Sequence, residues 1–317
     1  DDGTKREIVS EWFRCVQPPV VADSAGKYGA GLALEVMGRR FRDLDVNPAD
    51  IVVSNKLGWL RVPLRTPEPT FEPGAWMGLE HDAVQRISYG GIRECWNQGC
   101  ELLGDKYRPR LVSVHDPDEY LDAAENEDAR KRRWDDVIGA YQALRELKAD
   151  GDVAGVGVGA KDWTVIRELA AEVELDWVMF ACSLTLLSHP PELLDFIEEL
   201  RENGIGIVNS AVFHAGFLVG GRYFDYEVIE PDSPEHTELF RWRERFLETC
   251  REYGVEPAVA CIRFGMTVPG VVSTALNTSK PRRVADNSRA VQTSVPDAFW
   301  TALKERDLIA AGFPYAG

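Results

Sequence analysis

The sequence has no apolar run of the ~18 residues that a membrane-spanning helix needs, so no span is expected. No signal-peptide pattern opens it. It starts on "DDGTKRE" without an initiator Met and reads as trimmed at that end. Basic residues are the minority, 36 Lys and Arg against 52 Asp and Glu, for a formal charge of −16. Such a surface repels phosphate backbones and anionic lipid, which argues against nucleic-acid and membrane-surface partners. The six cysteines, at 15, 95, 100, 182, 250 and 261, include no CxxC pair, and no His or Cys cluster has zinc spacing. No metal site is therefore expected, and a reduced, cytoplasmic setting fits the free thiols. Cys182 and Cys261 lie in apolar runs and read as buried.

What is present is enough for a large core: 317 residues, 44% of them hydrophobic. Seven short apolar runs read as strands: 20–25, 51–58, 110–116, 153–160, 176–183, 204–211 and 270–277. They are apolar on both faces, as in a parallel sheet covered by helices. Amphipathic stretches alternate with them. In "LALEVMGRRFRDL" (32–44), Leu34, Met37, Phe41 and Leu44 fall on one stripe. Several such stretches end at a glycine, as at Gly104, Gly151, Gly204 and Gly254. Seven alternations predict an α/β fold, a (β/α)8 TIM barrel with its first strand missing from this chain. Residues 5–14 would be the first helix. No repeat or linker divides the chain, so one domain over 1–317 is expected. The stretches 59–88 and 212–235 are too long to be simple connectors.

Barrel chemistry sits at the C-terminal ends of strands. Asp23, Lys56 and His115 end three successive strand candidates, and Tyr28 follows the first. A free tyrosine, with a pKa near ~10, is a poor acid at neutral pH, and a neighbouring cation lowers that value. Lys56 supplies such a cation, Asp23 can hold it, and His115 can place a carbonyl or hydroxyl oxygen near Tyr28. Each residue also has a bland reading: Asp23 as a turn cap, Lys56 as a surface side chain, His115 as a core histidine, Tyr28 as packing. Their joint occurrence at one end of three strands carries the functional reading. "GVGVGA" (155–160) has the wrong spacing for a dinucleotide fingerprint. The two His-Asp pairs, 81–82 and 115–116, lack a third metal ligand. Trp59 and Trp76 read as loop packing or as an aromatic wall against a sugar.

"ADSAGKYGAGLALEVMGRRF", "VVSNKLG", "LVSVHDPDEY" and "VPGVVSTALNTSKPRRVADN" together resemble the aldo-keto reductases, in order and in strand placement, from about residue 5 to 291. "ISYGGIRECWNQGCELLG" followed by "HDPD" is similar to the branch holding D-threo-aldose, L-fucose and pyridoxal dehydrogenases. The resemblance implies an NAD(P)-dependent oxidoreductase. Tyr28 would be its proton donor or acceptor, supported by Lys56 and Asp23, with His115 orienting substrate. The loop 212–220, with Phe213, Gly216 and Leu218, would cover the pyrophosphate. Thr278, Ser279, Arg283 and Asn287 would hold the adenosine end. Five positions depart from the family pattern. Gly159-Ala160 stands for Ser-Asn, Ala181 for a glutamine, Ser210 for the tyrosine that stacks on nicotinamide, and Asn277 for a phosphate-binding lysine. The last departure puts NAD slightly ahead of NADP. The implied partner is a small sugar or aldehyde, and the chain a monomer or homo-oligomer. Two readings follow: an active dehydrogenase, or a catalytically weak nucleotide-binding barrel acting as a sensor or partner subunit.

Overall fold

The computed structural model describes residues 1–225, 227–231 and 233–316. The chain opens with helix α1 (Asp2–Cys15), then β1 (Val20–Ala25), α2 (Leu32–Asp43) and β2 (Ile51–Leu57). A two-stranded hairpin follows, β3 (Trp59–Pro63) with β4 (His81–Gln85), paired from Trp59↔Gln85 to Pro63↔His81. Then come α3 (Tyr89–Leu103), β5 (Pro109–His115), α4 (Pro117–Asp122), α5 (Glu127–Ala149), β6 (Gly155–Ala160), α6 (Trp163–Glu172) and β7 (Trp177–Ala181). After α7 (Pro191–Glu202) and β8 (Gly206–Ser210), a second small hairpin joins β9 (Tyr223–Phe224) to β10 (Glu227–Val228). The rest is α8 (Thr237–Tyr253), α9 (Pro257–Met266), β11 (Val271–Ala275), α10 (Arg282–Gln292) and α11 (Asp297–Glu305).

The seven predicted strands all form. They make one sheet in the order β1-β2-β5-β6-β7-β8-β11, which is chain order once the hairpins are set aside. The fold is α/β, a parallel barrel-type sheet that among the described residues is one strand short of eight. The long stretches at 59–88 and 212–235 hold the two hairpins.

The chain divides into two compact units, residues 1–160 with 164–178 and 279–281, and residues 161–163 with 179–278 and 282–317. In the first, the stripe predicted on α2 is the one buried: Leu34, Met37 and Phe41 pack with Val9, Val20, Val53 and Leu103, with Leu44 at the edge. The Phe41 ring meets Tyr107 edge-on at 5.2 Å. Buried Tyr141 on α5 donates to the Gly157 carbonyl at 3.1 Å, tying helix to strand. In the second unit α9 is buried nearly all round, through Val259, Ala260, Cys261, Ile262 and Phe264. Cys261 is buried as expected, but Cys182 is only half-buried. Its run stops being strand at Ala181, and the thiol sits on the loop beyond, where the backbone turns left-handed (φ 62°).

Helices α2 and α3 meet at a glycine. A Cβ built on Gly38 would stand 2.0 Å from the Leu103 carbonyl oxygen, where no side chain fits. The backbone must move to admit a methyl group, and overpacking of this kind costs about 1–3 kcal/mol or more. Gly38→Ala should therefore lower the urea midpoint at an unchanged slope, despite alanine's better helix propensity. An equal or higher midpoint would show that the two helices are free to separate.

Candidate active site

Parallel pairing sets the site. Register places Asp23 opposite Ser54 and Ala25 opposite Lys56, then Lys56 opposite Ser113 and His115 opposite Gly159. Side chains alternate faces along a strand, and directly paired residues share a face. Asp23, Ser54, Lys56, Ser113 and His115 therefore project from one side near the C-terminal ends of β1, β2 and β5. Ser54 Oγ donates to Asp23 Oδ1 at 2.9 Å, and Lys56 Nζ binds Asp23 Oδ2 directly. Lys56 also reaches the Ser24 carbonyl at 3.4 Å.

Tyr28 arrives from the turn after β1, held by its N–H to the Ala25 carbonyl at 3.2 Å. Three consecutive left-handed residues, Gly29, Ala30 and Gly31, then swing the chain into α2. The result brings all four predicted residues together. The Tyr28 ring stands edge-on to His115, with centroids 5.4 Å apart, and Lys56 Nζ lies 5.0 Å from the Tyr28 centroid.

Burial and charge act on each group in opposition. Burial pulls the Lys56 pKa down, but Asp23 and then Tyr28 outweigh it, so the ammonium is held above its ordinary value. Burial pushes the Tyr28 phenol up; Lys56 opposes this but does not cancel it, so the phenol sits above its usual value. That corrects the expectation of a net lowered phenol: the lysine pulls downward as reasoned, but desolvation is the larger effect. For His115, burial, Lys56 and Lys27 all act downward, leaving the imidazole well below its ordinary value and hence neutral at pH 7.

Sequence reasoning passed over several neighbours. Ser54, two residues before Lys56 on the same face, was within reach of the period-2 rule. Asp116 follows His115, and its Oδ2 lies 3.4 Å from His115 Nε2. Lys27 precedes Tyr28 and is 6% exposed; its ammonium meets Glu72 at 3.0 Å, Glu119 at 3.3 Å and Asp116 at 3.5 Å. Trp59, on β3, lies under that ammonium at 5.2 Å and belongs to a cluster with Ala30, Phe71, Ala83 and Trp76. Trp76 donates to Glu72 at 2.7 Å.

The residues expected around a dinucleotide are local to their own elements. Gly159 is the last residue but one of β6, and its carbonyl accepts from Asp116 N–H at 3.3 Å. Ser210 ends β8, with its hydroxyl donating to the Phe180 carbonyl at 3.0 Å. Phe213 packs on Val212 and Ile262, Leu218 is buried, and Gly216 is left-handed with open space where a Cβ would stand. Asn277 and Ser279 are exposed and Thr278 is half-buried just after β11. On α10, Arg283 is exposed and Asn287 is half-buried one turn on. Ala181 has no polar side chain, its carbonyl accepts from Ser183 Oγ at 3.1 Å, and the Ser210 hydroxyl is engaged with the Phe180 carbonyl.

The second unit carries a network that the sequence did not reveal. Asp225 Oδ1 accepts from Cys182 Sγ at 3.2 Å and pairs with His214 Nδ1 at 2.8 Å. His214 Nε2 lies 2.8 Å from Thr185 Oγ1, which already accepts from the N–H groups of Leu187 and Ser188. The hydroxyl proton is thus left for Nε2, and His214 carries its own proton on Nδ1, facing Asp225. Burial and Asp225 push the Cys182 thiol up to about 12, so it is no thiolate nucleophile. These three residues bring one possible ligand atom each within 4.8 Å of one another.

Comparison with known proteins defines the class. The Aldo/keto reductase family matches residues 20–307. The chain is 28% identical over 298 residues to pyridoxal 4-dehydrogenase of Microbacterium luteolum, covering 91% of this chain and 84% of that one. It is 30% identical over 305 residues to D-threo-aldose 1-dehydrogenase of a Pseudomonas species, covering 90% and 83%. Among solved structures it resembles the holo form of aldo-keto reductase AKR11C1 from Bacillus halodurans. There the TM-score is 0.70 and the identity 18%, over 98% of this chain and 89% of that one. Glycerol dehydrogenase AKR11B4 from Gluconobacter oxydans gives a TM-score of 0.65 at 17% identity, over 99% and 86%. The chain belongs to the aldo/keto reductase family and is an oxidoreductase of that type.

Because His115 is held neutral, its ring ¹⁵N shifts should stay those of neutral imidazole down to pH 6, with assignment by the His115→Gln variant. In Lys56→Met, loss of the nearby positive charge should move the transition to higher pH. A wild-type ring that protonates near pH 6.5, the ordinary histidine value, would contradict the burial described here.

Proposed function

We propose that this enzyme interconverts a sugar-type alcohol and its carbonyl form with a nicotinamide dinucleotide as cosubstrate. The observation that carries the reading is the meeting of Tyr28, the Lys56–Asp23 pair and a neutral His115 in one cluster of a family member. When bound, the dinucleotide supplies or removes the hydride. The rest falls to this chain's own side chains. Tyr28 moves the proton at the substrate oxygen, donating it to a carbonyl on reduction and taking it from a hydroxyl on oxidation. His115, uncharged, donates a hydrogen bond to that oxygen and fixes its position. Lys56 favours the phenolate that proton donation leaves behind, and Asp23 with Ser54 keeps Lys56 in place. The D-threo-aldose 1-dehydrogenase relative supports a sugar-type substrate.

Tyr28→Phe removes the proton path and leaves packing intact. kcat should fall roughly 10²-fold or more, the usual scale of general acid–base loss, with dinucleotide affinity nearly unchanged. Wild-type turnover of the best sugar by this variant would sink the assignment.

Lys56→Met takes away the one effect that pulls the phenol down most. The alkaline-rising limb of the oxidation rate should then move to higher pH. A limb at the wild-type pH would mean that Lys56 does not tune Tyr28.

NAD is favoured because Asn277 brings no charge to the adenosine end, leaving Arg283 as the cation for a 2′-phosphate. Titration by fluorescence quenching checks this: NADP bound about tenfold tighter than NAD, ~1.4 kcal/mol, reverses the preference.

A further inference from the structure

Three carboxylates gather beside the reacting centre: Asp116, Glu119 and Glu72 all face the ammonium of Lys27. Lys27 is buried against the Trp59 ring, so it cannot swing away. Asp116 is held from several sides: by Lys27, by the Gly159 carbonyl through its N–H at 3.3 Å, and by a left-handed backbone (φ 47°, ψ 57°). That conformation turns the carboxylate back over the end of β5, with Oδ2 3.4 Å from His115 Nε2. An oxygen within hydrogen-bond reach of His115 Nε2, ~3 Å away, is therefore a neighbour of the Asp116 carboxylate.

We propose that Asp116, pinned by Lys27 beside His115, is the specificity-determining residue of this site. Its carboxylate accepts a hydrogen bond from a hydroxyl on the carbon adjacent to the reacting one. The site thereby selects uncharged α-hydroxy carbonyl compounds and rejects those carrying a carboxylate there. The inference rests on the proposed reductase reading and names its substrate class. A substrate hydroxyl satisfies the carboxylate as a charge-assisted donor. A methyl group leaves the carboxylate without that donor while excluding water from it. A substrate carboxylate adds like-charge repulsion on top.

Three small aldehydes differ only in the group beside the carbonyl: glycolaldehyde (hydroxymethyl), propanal (ethyl) and glyoxylate (carboxylate). Their reduction by the full-length enzyme, with kcat/KM corrected for hydration, tests the inference. Wild type should favour glycolaldehyde over propanal by about tenfold and over glyoxylate by about a hundredfold or more. Asp116→Asn should raise the glyoxylate-to-propanal ratio at least about tenfold, whereas Glu119→Gln, which leaves Asp116 in place, should move it less than about threefold. An unchanged ratio in Asp116→Asn overturns the inference. An equal change in Glu119→Gln overturns the choice of Asp116. If Asp116→Asn does not fold, wild type alone decides, since glyoxylate turned over as well as propanal is fatal to the idea. No turnover of any of the three by wild type would instead remove the reductase reading, and this inference with it.

Discussion

The buried contact between Lys56 and Asp23 governs the rest of the site. A lysine placed at 4% exposure loses most of its hydration, and one carboxylate from the next strand must compensate. The parallel register makes that possible, because it puts Asp23 one pair below the Ala25–Lys56 pair on the same face. Removing one partner of such a pair leaves an uncompensated buried charge, at a cost of about 3–5 kcal/mol. The pair therefore holds the ends of β1 and β2 together as well as supplying charge. Its field reaches two further groups with different results. At Tyr28 it opposes desolvation, and at His115 it adds to desolvation. One ammonium thus opposes the rise of a buried phenol and helps to keep an imidazole neutral.

The seven parallel strands were legible because a strand covered on both faces has little polar sequence to hide it. The four central residues were legible for a related reason: a charged or polar group ending an apolar run is conspicuous. The hairpin of β3 and β4 was not, because 17 residues separate Pro63 from His81 and no short turn signal joins them. Helix α9 was missed on opposite grounds. "PAVACIRFGM" is buried on nearly every side, so it shows no amphipathic stripe, and a short apolar run does not declare its period. Cys182 was read one element too far inward for the same reason, as apolarity continues past the hydrogen-bonded end of β7.

Lys27, Asp116, Glu72 and Glu119 were hidden differently. In the sequence they are ordinary surface residues of an acidic chain. Only folding shows that the turn after β1, the stretch between β3 and β4, and the start of α4 deliver one cation and three anions to a single point. Long-range ion clusters have no local spacing to read. The Cys182–Asp225–His214–Thr185 network is of the same kind, with members spread from 182 to 225.

A division of labour follows. The groups placed by the strands, Asp23, Lys56 and His115, are set by sheet register, which a mutation in a loop cannot easily shift. They fit proton handling, which is indifferent to the rest of the substrate. The groups brought by turns and connections, Lys27, Glu72, Asp116 and Glu119, can be exchanged without disturbing a single ladder bond. Discrimination between substrates suits that second set, because it requires contact with atoms beyond the reacting carbon. The two sets meet at His115, which shares one face of its ring with Tyr28 and one nitrogen with Asp116. Any oxygen seated by His115 is therefore exposed at once to the geometry of the sheet and to the particular charge of this rim. The low pKa of the imidazole keeps these roles compatible: a protonated His115 would pair with Asp116 as an ion and withdraw both from the substrate.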